Sequence, residues 1–185
     1  RRIFQGRGDV PGSLQWGGEQ DDKKPLPDAE YSYSLEVVDE AGNRVATAPK
    51  DLRIDTTRPQ IMAQASPALF SPNGDKIKDE SVFIPVYKDA SPIADWKLVM
   101  QDSGKKTVKA FSGKAGLPLS LPWDGKKDEG GLLPDGGYTY IFSAEDDVGN
   151  KSSTLEQIVK IDNNPPVAVL QAEPALFSPN GDGVK

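Results

Sequence analysis

The residues best suited to hold a ligand lie in one short polar stretch. Asn73, Asp75, Asp79 and Glu80 place four oxygen-bearing side chains within eight residues, with Pro72 ahead of them and Gly74 easing a turn between them. Hard oxygen donors of this kind suit calcium, which accepts irregular geometry and completes its shell with backbone carbonyls and water. The same residues also make a metal-free turn, because Pro sets φ, Asn-Gly favours a tight reversal and Asp accepts a backbone N–H. Both readings stand at this point.

Other chemistry finds less material. The chain has no His and no Cys, which removes the commonest general base, the thiolate nucleophile and any zinc–thiolate or disulfide site. Asp146-Asp147 is a carboxylate pair of the type glycosidases use, but nothing in the surrounding sequence frames it as a cleft. Tyr31 and Tyr138 lack a neighbouring His or Lys to act with, and no Gly-rich phosphate loop follows a strand. No catalytic residue is assigned. Trp16, Trp96 and Trp123 are large enough to stack on a sugar, yet large aromatic side chains serve first as core anchors. Arg7-Gly8-Asp9 is an integrin-type tripeptide, here read as part of a Gly-rich turn. With a net charge of −6 and no basic stripe, nucleic acid is not an expected partner. No apolar run is long enough to span a bilayer, so no membrane insertion is expected of this sequence.

The polar loop belongs to a larger pattern. Ala68 to Asp75 returns unchanged as Ala175 to Asp182, an offset of 107 residues. At that offset residues 1–78 align with 108–185 without a gap and are identical at 32 of 78 positions, including Trp16 with Trp123, Tyr31 with Tyr138 and Asp55 with Asp162. Such self-similarity marks a duplicated structural unit.

The elements within the unit are strands. Tyr138, Tyr140, Phe142 and Ala144 alternate with Thr139, Ile141 and Ser143, as Tyr31, Tyr33, Leu35 and Val37 alternate with Ser32, Ser34 and Glu36, so one face of each is apolar. Asp39 to Asn43 and Asp146 to Asn150 supply turns, after which Leu52–Asp55 and Gln157–Asp162 read as return strands. Leu-Pro-x-x-x-Tyr ahead of each strand is the layout of a tyrosine corner, which pins a crossover between two sheets and gives Tyr31 and Tyr138 structural roles. Trp96 shares a strand face with Leu98 and Met100, and Trp16 and Trp123 occupy equivalent places. Pro85 marks its strand as an edge or a bulge. No helical period appears, and a two-layer antiparallel sandwich of about seven strands is the expected solution.

Phe70 to Asp75, Trp123 with Gly125, Leu133 to Tyr140, Ala144 to Asn150 and Asp162 before Pro165 together resemble the bacterial Ig-like domain named after the flagellar hook-capping protein. The Asn73–Glu80 stretch also resembles the second half of the Asp-rich calcium loops of thrombospondin and dockerin repeats. The family resemblance implies tandem immunoglobulin/fibronectin-III-like antiparallel sandwiches, an all-β fold with about 107 residues per repeat. Pro59 and Asn163 to Pro166 then divide the chain into the later part of one repeat (1–59), a complete repeat (60–166) and the opening of another (167–185). The incomplete first unit is expected to be frayed, or completed by further chain or a neighbouring molecule. The expected role is non-catalytic, a spacer or stalk in an extracytoplasmic bacterial protein, with calcium as the candidate stiffener of its joints. Neighbouring repeats are the expected partners. The alternatives are an adhesin module that grips a surface glycan or protein, and an appendage of a secreted enzyme.

Overall fold

Residues 2–171, 181 and 183 are described by the computed structural model. The second octapeptide, 175–182 with its Asp182, lies outside the described residues apart from Gly181, as does most of the expected third unit. Among the described residues there is no helix and there are thirteen strands.

Residues from Gln60 onward form a two-sheet sandwich. One sheet has the order β10 (Leu121–Trp123), β7 (Ser81–Lys88), β5 (Gln60–Ser66). The other runs β6 (Leu69–Phe70), β13 (Gln157–Ile161), β11 (Gly136–Asp146), β8 (Ile93–Gln101), β9 (Thr107–Lys114), with β12 (Lys151–Ser153) also on β11. Alternation along β11 puts Tyr138, Tyr140, Phe142 and Ala144 into the core. Phe83 of the smaller sheet meets Tyr140 edge to face at 4.9 Å, and Trp123 packs on Phe70 and Tyr138 at 5.3 and 5.9 Å. Burial of rings this large is the main stabilising contribution to such a fold. Tyr140 also reaches across the sandwich: its hydroxyl accepts the N–H of Ala65 on β5 and donates to Gln157.

Two details depart from a plain antiparallel sandwich of seven strands. Nine strands build this unit, and β6 lies parallel to β13, pairing Leu69 with Lys160 and Phe70 with Ile161. That parallel pair arises because the chain leaves β5, turns at Pro67 and crosses to the opposite sheet before the polar loop begins. Pro85 sits within β7, which has neighbours on both sides, but β10 covers only Ser81–Phe83. At Pro85 the strand is therefore locally an edge, where a missing N–H leaves no bond unmade.

The preceding residues fold into two ribbons, β1 (Ala29–Tyr33) with β4 (Lys50–Ile54) and β2 (Glu36–Val38) with β3 (Arg44–Ala46). Their registers repeat those 107 residues later, Tyr31 opposite Leu52 as Tyr138 is opposite Val159. The hydrogen bonds repeat as well. Tyr31 donates to the Pro27 carbonyl and Tyr138 to the Pro134 carbonyl, both at 2.7 Å, and Trp16 and Trp123 donate their indole N–H groups to Glu19 and Lys126. Burial does not repeat. Tyr140 is 2% exposed and its counterpart Tyr33 is 54% exposed, since no second sheet covers the ribbons among the described residues.

Candidate functional site

The octapeptide loop is held by its own side chains. Asn73 Oδ1 accepts the Asp75 N–H at 2.9 Å, Asp75 Oδ1 accepts that of Ile77 at 2.8 Å, and Asp79 takes those of Gly74 and Lys76 at 2.9 and 2.7 Å. These bonds accommodate a tight path in which Gly74, Lys76 and Lys78 all have positive φ. Glu80 is exposed and joins none of them. The loop oxygens are thus largely turned to backbone N–H groups, and Asp75, Asp79 and Glu80 do not gather as a carboxylate cluster. Against this loop packs the turn after Trp123. Gly125 has φ +76°, and a Cβ there would lie 2.8 Å from Pro72 Cγ, so the Trp-x-Gly element and the octapeptide fit by close approach.

Of the other residues singled out from the sequence, Trp123 is 1% exposed, Trp96 is buried with its ring against Gly113, and Tyr138 is buried, whereas Trp16 and Tyr31 are half-buried. Burial, then the nearby charges of Asp102 and Asp135, push the Tyr138 phenol above its usual range, so it remains a neutral donor.

A second set of oxygens meets where the early ribbons join the sandwich. Asp55 follows β4, Asp89 follows β7 and Asp146 ends β11, and one carboxylate oxygen from each lies within 4.8 Å of the others. Two like charges at about 5 Å repel by about 3 kcal/mol at an effective dielectric near 20. Asp146 is 1% exposed. Burial raises its pKa, but hydrogen bonds from the Asn150 side chain and from the Asn150 and Val148 N–H groups outweigh this and hold the carboxyl below its ordinary value. Asp55 accepts the Ser91 hydroxyl and the Thr57 N–H. Asp89 Oδ1 caps the N–H groups of Ala90 and Ser91. Asp89 Oδ2 is enclosed by protein and has no hydrogen-bond partner.

A cation of the adjoining cleft points elsewhere. Arg53 pairs with Asp147 at 2.9 Å and reaches the Ala90 carbonyl, and none of the ion pairs among the described residues includes Asp55, Asp89 or Asp146. An open cleft of about 600 Å³ adjoins the group, lined by Asp28, Glu30, Arg53, Asp55, Lys88 and Asp89 among others. Reading the sequence does not reveal this meeting. Asp55 stands out only as a repeated position and Asp146 as part of a turn, while Asp89 lies in the stretch of the chain that has no second copy.

Two facing sheets joined by a tyrosine corner, with Trp123 in the core between them, define an Ig-like β-sandwich. The sequence pattern of the bacterial Ig-like domain matches residues 11–56 and 70–163, and the chain belongs to that family. Among solved structures, the chain is similar to latent dimeric PorU from Porphyromonas gingivalis, at 16% identity and TM-score 0.46, over 74% of this chain and 12% of that one. It is also similar to the CbhA fibronectin(III)-like modules of Clostridium thermocellum, at 13% identity and TM-score 0.37, over 74% of this chain and 63% of that one. No curated protein sequence matches it.

Proposed function

We propose that the chain is a non-catalytic structural module, a run of Ig-like repeats serving as a spacer in an extracytoplasmic bacterial protein. In this reading residues 1–59 are the later strands of one repeat, 60–166 a complete repeat and 167–185 the start of a third. The observation that carries it is the recurrence, at one fixed offset, of a whole hydrogen-bond set: tyrosine corner, indole cap, Asp–Asn turn and strand register. A unit duplicated so closely, with its chemistry confined to turns and caps, suits extension rather than catalysis. Glycan stacking on Trp96 or Trp123 is disfavoured because both are buried, whereas Trp16 is half-buried.

Small-angle scattering on chains of one, two and three repeats tests the spacer. Its longest dimension is expected to grow by a constant increment with each repeat added. A particle that stays compact as repeats are added would refute it.

A further inference from the structure

We propose that the segment 167–179 of one chain docks on the early ribbons of a second copy, so that chains associate head to tail. The duplication supplies the template. Ala68 to Asp75 and Ala175 to Asp182 are the same eight residues, and the hairpin that receives the first of them has its counterpart in the ribbons. In the sandwich β6 lies along the outer edge of β13, where the Lys160 N–H donates to the Ala68 carbonyl at 2.8 Å and the Asp162 N–H to the Phe70 carbonyl at 3.1 Å. Phe70 packs on Trp123, and Pro72 fits against Gly125.

Both sides of this contact recur. Arg53, Trp16 and Gly18 stand in the ribbons where Lys160, Trp123 and Gly125 stand in the sandwich. The register of β1 with β4 repeats that of β11 with β13, so the Arg53 N–H faces the outer edge of β4 as the Lys160 N–H faces β6. A Cβ at Gly18 would lie 3.6 Å from Ile54 Cδ1, and one at Gly125 lies 3.3 Å from Ile161 Cδ1, so the receiving turn keeps its place beside the strand. No strand pairs with the outer edge of β4 among the described residues, and the open cleft borders it at Arg53, Ile54 and Asp55. An unpaired edge beside apolar side chains takes up an extended segment readily. On the donor side residues 162–171 form no strand, and Val167, Val169 and Leu170 are almost fully exposed.

The occupant is a second copy because of where the segment leaves the sandwich. Asp146, beside Asp55, marks the end of β11 that meets the ribbons, whereas β13 finishes opposite Gly136 at the other end of this 11-residue strand, about 33 Å away. The segment therefore starts at the end remote from its own ribbons. In the complex the Phe177 ring meets Trp16, Pro179 meets Gly18, and the Ala175 carbonyl accepts the Arg53 N–H. Such a contact is heterologous: every associated pair keeps one free segment and one free ribbon edge, so growth does not stop at a dimer. The inference rests on the duplication and stands whether or not the chain serves as a spacer.

The test is analytical ultracentrifugation of the whole chain over a range of concentrations, alongside Phe177→Ala, Gly18→Ala and Met62→Ser. The mean mass of the wild type is expected to rise with concentration up to about 1 mM and to pass that of a dimer. Phe177→Ala removes the ring that docks, and Gly18→Ala puts a Cβ where Pro179 must sit, so each alone is expected to stay monomeric. An equimolar mixture of these two is expected to form a dimer and nothing larger, because each supplies the half the other lacks. Met62→Ser changes an exposed side chain of β5 and is expected to associate as wild type does. A wild type that stays monomeric at about 1 mM would overturn the proposal. So would wild-type association of Phe177→Ala, a mixture that stays monomeric, or loss of association in Met62→Ser, which would put the contact on the other sheet.

Discussion

The side-chain amide of Asn150 donates to the backbone carbonyl of Asp55 at 3.1 Å, across 95 residues of chain. Asn150 also closes the Asp146 turn, as Asn43 closes the Asp39 turn. One residue thus shapes a turn common to both copies and, in the second, also holds the end of the preceding ribbon. The Arg53–Asp147 ion pair lies beside it.

That ion pair makes a modest prediction. Its side chains are 32% and 43% exposed, so solvent screens it strongly. A double-mutant cycle with Arg53→Ala and Asp147→Ala is expected to give a coupling of about 0.5 kcal/mol that disappears at about 1 M salt. Thermal melts at two salt concentrations measure it.

The two core tyrosines should differ under the same change. Tyr138→Phe removes one bond to the Pro134 carbonyl and is expected to cost about 1 kcal/mol. Tyr140→Phe strands the Ala65 N–H as well as the Gln157 acceptor, and is expected to cost about 2 kcal/mol. Urea unfolding of the two variants ranks them.

Gly125→Ala tests the fit between the Trp-x-Gly turn and the octapeptide. The new Cβ meets the Pro72 ring at 2.8 Å and φ is +76°, so a loss of about 2–3 kcal/mol is expected. Its counterpart Gly18 has positive φ too, but the nearest atom to a Cβ there is Ile54 Cδ1 at 3.6 Å. Gly18→Ala is therefore expected to cost less, as equilibrium unfolding would show.

Acid should weaken the ribbons through Asp28 and Asp39. The hydroxyl of Thr57, with the N–H and hydroxyl of Thr56, lowers the pKa of Asp28, and the side chain and N–H of Asn43 lower that of Asp39. A depressed carboxylate pKa adds stability above its unfolded value, near 3.9, and that stability fades as pH falls through the folded value. Melting temperature is expected to be flat between about pH 5 and 8 in this respect and to drop below about pH 4, with a shallower drop in Asp28→Asn.

Much of the sandwich is legible in the repeat. Period-two alternation from Tyr138 to Ala144 gives the buried face of β11, and the spacing of Pro134 and Tyr138 gives the corner, because both depend on neighbours in sequence. The parallel pairing of Leu69–Phe70 with Lys160–Ile161 is not legible, since it depends on where a short crossover lands. The acidic group is hidden for the same reason. Asp55, Asp89 and Asp146 carry no common spacing and meet only once three segments are folded, while the conspicuous Asn73–Glu80 stretch turns most of its oxygens to its own backbone.

The proposed spacer keeps its length only if the early ribbons and the sandwich hold one relative orientation. Because the chain has no Cys, spin labels at Val45→Cys on the ribbons and Leu119→Cys on the sandwich, both exposed, would be the only ones present. A pulsed dipolar measurement of the distance between them is the most direct test. A single narrow distribution is predicted, and a broad one would contradict the account.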